Sequence, residues 1–187
     1  MNASNVTAGK PKIGGAIFRA PVGTALPTNA TSELNAAFKD MGYLSDSGLV
    51  NSNSPETDKI KAWGGDVVHT AQKGKEDTFK GTFIEALNEE VLKMVYGDDN
   101  VTGTLATGIT VTANSSEAEE YSYVVDMILK NDTLKRVVLP CASVSEVGDI
   151  TYNDGDLVGY ETTLSAYPDT DGNTHYEYIV AGSSAGE

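Results

Sequence analysis

NSNSPETDKIKAWGGDVVHTAQKGKEDTFKGTF, residues 51–83, is the stretch on which the reading of this chain turns. Its first half, residues 51–66, is polar and has no sustained apolar period. Connections inside a compact domain usually run about 4–6 residues, so a segment this long is expected to be an extended loop with a task. It carries the only tryptophan, Trp63, beside Gly64 and Gly65. The second half reads as two antiparallel strands, residues 66–72 and 77–86, joined by the polar turn Lys73-Gly74-Lys75-Glu76. In the second of these, Phe79, Gly81 and Phe83 alternate with Thr78, Lys80 and Thr82, the pattern of a half-buried strand. A long loop that feeds a hairpin is placed to reach something outside its own domain, and a second copy of the chain is the expected target.

Upstream, residues 1–12 are polar and read as an arm. A first strand is expected over residues 13–20, with Gly14 and Gly15 permitting a bulge or close approach. Residues 21–31 are broken by Pro21, Gly23 and Pro27 and read as a loop. A short helix is predicted over residues 32–41: Ser32 caps it, Glu33 suits its first turn and Gly42 ends it. Leu34, Ala37, Phe38 and Met41 would share the face that covers a sheet. Downstream, Asn88 caps a second helix with Glu89 and Glu90 in its first turn. Val91, Leu92, Val95 and Tyr96 form its apolar face and Gly97 follows its end.

Residues 98–107 read as a loop. Strands are then expected over 108–114, 121–129, 134–140, 143–152, 157–167 and 174–180. In the strongest, Tyr121, Tyr123, Val125, Met127 and Leu129 line one face. Asp154-Gly155 is a hairpin signal, and residues 169–173 form a turn. Two helices among roughly eight to ten strands predict a mainly-β (α+β) fold, an antiparallel β-sandwich or barrel with one or two short flanking helices. The expected organisation is an arm over residues 1–12, one domain over 13–180 with its long loop at 47–65, and a small polar tail over 181–187.

The 187 residues suit one domain with a sizeable core. The single cysteine, Cys141, excludes an intramolecular disulfide. No basic-plus-apolar leader and no apolar run of membrane-spanning length is visible, so folding in a cytoplasm as a soluble protein is expected. The net charge of −14 is unevenly spread: residues 1–96 carry 10 Lys and Arg against 11 Asp and Glu, residues 97–187 carry 3 against 16. Such a surface repels phosphate, which argues against tight nucleic-acid binding.

Chemistry-bearing constellations are not visible. His69 and His175 fall inside strands without a second ligand at metal spacing. Cys141 reads as a small buried hydrophobe. Asp169-x-Asp171-Gly172-Asn173 lacks the rest of a calcium loop, and 153–156 reads likewise as a turn. The chain has no Walker, GxGxxG or GxSxG pattern. Asn-x-Ser/Thr triplets at Asn2, Asn5, Asn29, Asn100, Asn114 and Asn131 read as turn formers. A domain without such a constellation works by its surfaces. No enzyme activity, cofactor or metal is expected.

A β domain must manage its sheet edges, and pairing with a neighbouring copy is one way. Considered in order along the chain, the segments KPKIGGAIFRAPVGTALP (10–27), GYLSDSGLVNSNSPETDKIKAWGG (42–65), EDTFKGTFIEALNEEVLKMVY (76–96) and GYETTLSAYPDTDGNTHYEY (159–178) resemble the major tail, or tail tube, proteins of long non-contractile phage tails. The specificity of this resemblance lies in its extent and not in any one motif.

The resemblance implies a structural virion protein that polymerises as stacked hexameric rings into the tail tube, the channel for DNA ejection into the host. It implies further tail partners: a tape measure, a tail terminator and a distal tail protein. It implies assembly in the host cytoplasm, residence in the virion tail, and passage of double-stranded DNA without specific binding. Loop 47–65 and arm 1–12 would bridge adjacent rings, which makes Lys10, Lys12, Asn51, Asn53, Pro55, Lys59 and Trp63 the expected inter-subunit contacts. Trp63 is read either as an anchor at such a junction or as a core residue. A good share of the acidic groups beyond Asp98 is expected to line the bore, with Lys and Arg sparse there. The competing reading is a monomeric β-sandwich ligand- or carbohydrate-binding module using Tyr121, Tyr123, Tyr176 and Tyr178 as a stacking platform.

Overall fold

A computed structural model describes residues 1–12 and 16–182. In chain order the strands are β1 (Lys10–Pro11), β2 (Ile17–Pro21), β3 (Lys39–Asp40), β4 (Leu44–Lys61), β5 (Val67–Phe83), β6 (Val101–Thr104), β7 (Gly108–Val111), β8 (Glu120–Ile128), β9 (Leu134–Val147), β10 (Tyr160–Tyr167) and β11 (Tyr176–Val180), with the helix α1 (Glu89–Tyr96) between β5 and β6. The fold is mainly β, as expected. All strand pairs are antiparallel. The main sheet runs β3-β2-β8-β9-β10-β5-β4, and β6 pairs with β7 apart from it. The expected first strand begins in residues 13–15, and the expected tail includes 183–187. Both segments lie outside the described residues.

β8 and β9 form the spine, paired with each other over most of their length. Each changes its outer neighbour part-way. β8 holds β2 along Tyr121–Val125 and β1 at Met127 and Ile128. β9 holds β11 along Leu134–Val138 and β10 from Cys141 to Val147. A bulge between Tyr121 and Tyr123 sets Pro140 and Cys141 opposite Ser122, so one continuous strand replaces the two expected there.

Alternation along the spine feeds two cores. Tyr123, Val125, Val137 and Leu139 face α1, which buries Val91, Leu92 and Met94 over them. Val124 and Val138 face the other way, against Ala20 and Phe38. Fully burying such side chains is worth about 1.5–3 kcal/mol each. The helix ends are as the sequence predicts: Asn88 Oδ1 accepts the Glu90 N–H at 3.0 Å and the Gly97 N–H reaches Lys93 O. Its face differs, because Met94 is buried and the expected Val95 and Tyr96 are only partly so.

The helix expected over residues 32–41 is absent. Asn29 Oδ1 accepts the N–H groups of Thr31 and Ser32, and Asn35 Oδ1 accepts that of Ala37. These side chains compete successfully with a helical ladder. The segment still covers the sheet. Leu34, Ala37 and Phe38 pack on the second core, while Met41 crosses to the first.

The buried Arg136 pins this cover in place. Its Nε and Nη2 donate to the two Asp126 carboxylate oxygens at 2.6 and 2.8 Å, and its Nη1 donates to Asn29 O and Ser32 O.

Of residues 47–65 only the tip, 62–65, is a turn and the rest is strand. Residues up to Lys61 belong to β4, and β5 runs unbroken through the segment 73–76 that reads as a turn. Pro55 sits opposite Lys75 and Glu56 opposite Gly74, so the polar stretch pairs with the expected hairpin, not beside it. Residues 98–107 likewise hold β6 and a 3-10 turn, Asp98–Asn100.

Candidate assembly surfaces

The long hairpin of β4 and β5 starts inside the body. Phe79 and Phe83 are buried, and Gly81 leaves room for Leu44 and Leu49, which a Cβ there would crowd at 3.2–3.3 Å. β10 accompanies β5 only as far as the pair Ser165–Thr78. From Asp77 outward the hairpin is a two-stranded ribbon, with Asn53 opposite Asp77 and Lys61 opposite Val67. At about 3.4 Å per residue, residues 53–61 carry it roughly 30 Å beyond the body. Residues 50–70 are exposed throughout. Its tip closes through Ala62 N–H to Asp66 O at 2.8 Å, with Gly64 and Gly65 at φ 110° and 98°.

This ribbon presents apolar groups to water. Trp63 stands fully exposed at the apex, and Ile60, Val67 and Val68 are each more than half exposed. Trp63 is therefore not a core residue. A lone two-stranded ribbon is marginal in water. Four lysines, Lys59, Lys61, Lys73 and Lys75, lie on it. Lys73 pairs with Asp58 across the strands, and the other three form no ion pair among the described residues.

A buried carboxylate holds the root of the ribbon. Asp77, whose side chain is 0% exposed, accepts hydrogen bonds from Asn51 Nδ2 at 2.8 Å, Thr174 Oγ1 at 2.5 Å and His175 Nδ1 at 2.5 Å. The His175 ring meets Phe79 edge-on at 5.4 Å. Burial alone would raise the Asp77 carboxyl, but the bonds from Thr174, His175 and Asn51 outweigh it and hold it below its usual 3.8. The clasp sits at a fork, where β5 departs from β10 and where β11 starts along β9.

The expected contact residues are thus distributed unequally. Pro55, Lys59 and Trp63 lie on the ribbon, exposed, and Asn53 lies at its base. Asn51 is tied into the clasp and to Thr78 O at 3.1 Å. Lys10 belongs to β1, paired to Ile128 of the same chain, and Lys12 Nζ lies 3.8 Å from Asp126. Between residues 6–10 and the β8–β9 turn runs a groove of about 690 Å³ lined in part by Val6, Ala8 and Leu129. Asp77, Thr174 and His175 were not legible as a unit: the donors lie 97 and 98 residues from the carboxylate, and only the fold brings them together.

The tyrosines do not form a platform. Tyr123 is 1% exposed, Tyr121 lies under the Arg19 guanidinium at 4.3 Å, and Tyr176 and Tyr178 stack on each other against the second core. Arg19 is buried and paired with Asp98 at 2.7 Å and Glu90 at 3.3 Å. Beside it a cleft of about 190 Å³ is lined by Asp99, Asn100, Glu117 and Tyr121. The turn-forming asparagines are used as read: Asn114 Oδ1 accepts the Ser116 N–H, Asn153 Oδ1 those of Gly155 and Asp156. Asp169 Oδ1 serves Asp171 and Asn173 in the same way. Burial and the neighbouring Glu120 push the Cys141 thiol up to about 11. Among the described residues no cluster is arranged to hold a metal ion, and no helix is long and apolar enough to cross a membrane.

Comparison with curated proteins finds no match. A family model described as phage tail tube protein matches residues 1–185. A fold with a ribbon standing out from its body, and a match over nearly the whole length, lead to one conclusion: the chain belongs to the phage tail tube protein family, whose members are structural components of the virion tail and not enzymes.

Proposed function

We propose that this chain polymerises as stacked hexameric rings into the tail tube and that the bore of the tube conducts DNA into the host. Membership of the family gives the coarser part, a structural tail protein that associates with itself and with other tail proteins. The observation that carries the finer part is the ribbon: a two-stranded projection with exposed apolar side chains gains stability only when something covers it. A second copy supplies that cover, and a copy above or below in a stack is within its reach. Lys59 and Trp63, with Asn53 and Pro55 nearer the root, are the contacts assigned to this junction. Lys10 and Lys12 are assigned a lesser part, since β1 is already engaged on its own spine.

The charge distribution supports passage of DNA without retention. Of the three basic residues beyond residue 97, Lys135 is paired with Glu177 and Arg136 with Asp126, which leaves Lys130 without an ion pair among the described residues. A wall with few free cations gives DNA no counterion-release gain. The tape measure, terminator and distal tail proteins are the expected tail partners, and assembly is assigned to the host cytoplasm.

Negative-stain microscopy of the purified protein at rising concentration tests the proposal. Tubes of uniform width are expected. A monomer at every concentration, together with absence of the protein from virus particles, would overturn it.

A further inference from the structure

The two buried arginines of the sheet are not equally served. Arg136 gives Nε, Nη1 and Nη2 to acceptors. Arg19 gives Nη2 to Asp98 and Glu90, but its Nε is buried and finds no acceptor among the described residues. A buried donor left unpaired costs free energy, so an orphan of this kind calls for an explanation. The Arg19 side chain is only 3% exposed, and it borders the cleft of about 190 Å³. The walls of that cleft are tied together. One wall is the end of α1 with residues 97–100, and the other is the segment 113–119, which joins no strand. Asn100 Nδ2 donates to Asn114 Oδ1 at 3.2 Å, and Asn114 Nδ2 donates to Asn100 Oδ1 at 2.8 Å. Tyr121 Oη donates to Glu119 at 2.7 Å and closes the far end.

The chemistry of the lining narrows the occupant. Sites for small molecules are typically about 300–1,000 Å³, so this cleft suits one side chain and its peptide group. Asp99, Glu117 and Glu119 line it and form no ion pair among the described residues. An anion does not fit, because Asp98 and Glu90 already neutralise Arg19 and the rim repels a further negative charge. A metal ion does not fit, because the orphan group is a donor and no cluster is arranged to hold one. What fits brings an acceptor to Arg19 Nε and a positive charge to the rim. A lysine residue in an extended peptide does both, and its methylenes suit the apolar parts of Met94 and Tyr96 in the lining.

We propose that this cleft receives a lysine from an extended segment of another tail protein, with a main-chain carbonyl on Arg19 Nε and the ammonium between Asp99 and Glu117. This rests on the association with other tail proteins that family membership gives, and not on the ring-and-tube reading. The chain's own lysines favour a different protein as the donor. Each lies on a strand, on α1 or on a 3-10 turn, save Lys12, whose N–H is bonded to Asp126 O. They are already engaged in elements of their own copy.

The test titrates acetyl-Ala-Lys-Ala-amide, at millimolar concentration, into the full-length ¹⁵N-labelled protein kept too dilute to assemble. Nuclear magnetic resonance then follows the Arg19 Nε–H signal directly. A saturable shift of that signal and of the 113–119 amides is expected. Norleucine in place of the lysine keeps the chain length but removes the charge, and is expected to weaken binding about tenfold or more. Asp99→Asn with Glu117→Gln is expected to do the same, while melting temperature and tube formation stay unchanged. An Arg19 Nε–H signal unmoved by the peptide overturns the proposal. So does equal binding of the norleucine peptide, or undiminished binding by the double variant. A double variant that folds but forms no tubes also overturns it, by making a second copy the occupant. Peptide binding by a protein that never forms tubes leaves the cleft standing and removes the ring-and-tube reading alone.

Discussion

Asp126 is buried on β8, its counter-charges are Arg136 on β9 and Lys12 at the rim, and Arg136 in turn holds the 29–32 turn. Removing one member of a buried pair strands the other, at a cost of about 3–5 kcal/mol. Asp126→Ala is expected to destabilise the monomer by that amount in chemical denaturation, and to free the 29–32 turn, read as faster amide exchange at Ser32. Asp77 is a carboxylate of a different kind, set at the root of the ribbon. Its folded value is depressed, so its contribution is complete above 3.8 and is lost as pH falls through and below that value. Energy transfer from Trp63 to an acceptor on Cys141, the sole residues of their types, reports the ribbon's angle to the body. A narrow distance distribution at neutral pH is expected, broadening only once pH has fallen below 3.8 and, at neutral pH, in Asp77→Ala. An unchanged width in both conditions would remove the clasp from the account of how the ribbon is aimed. Labelling needs alkaline pH or long times, because the Cys141 thiol is held up to about 11.

At the scale of elements, α1 was legible in its bounds but not wholly in its face: Met94 is buried, while Val95 and Tyr96 only flank the core. Its cap at Asn88 and its stop at Gly97 are local chemistry, and local chemistry is what a sequence shows. The segment 32–41 was half legible: its apolar positions do cover the sheet, but the asparagines at 29 and 35 favour turns over a ladder. The ribbon was the least legible. A strand declares itself through alternation, and alternation requires one wet and one dry face. Residues 53–61 are wet on both, so nothing in their order marks them as β. What remained visible was that Trp63 beside two glycines is an odd thing to leave in a polar stretch. Because Trp63 touches no core, Trp63→Ala is expected to change monomer stability by no more than about 0.5 kcal/mol while abolishing or strongly slowing tube formation. Denaturation and turbidity measured on one preparation check both halves. Gly65→Val tests the tip: φ of 98° is unsuited to a β-branched residue, and the same loss of assembly is expected with the body intact.

At the scale of the molecule, the β8–β9 spine is what allows one chain to hold two cores and still extend a ribbon. Leu139 lies at its centre and is wholly buried, so Leu139→Ala is expected to cost about 2–5 kcal/mol and to lower the melting temperature of the whole body, not of one strand. The excess of acidic groups acts at the same scale. Purified tubes are expected not to co-sediment with double-stranded DNA even at low salt, where a basic bore would retain it most strongly. Retention there would contradict a low-friction channel.

The ribbon leaves the body at one end only. Any column that stacks such parts in one direction has unlike extremities, one a crown of unoccupied fingers and the other without them. Growth from a template and arrest at full length are then separate recognition problems. An initiator has to match one extremity and a cap the other, so the two tasks call for different complementary surfaces.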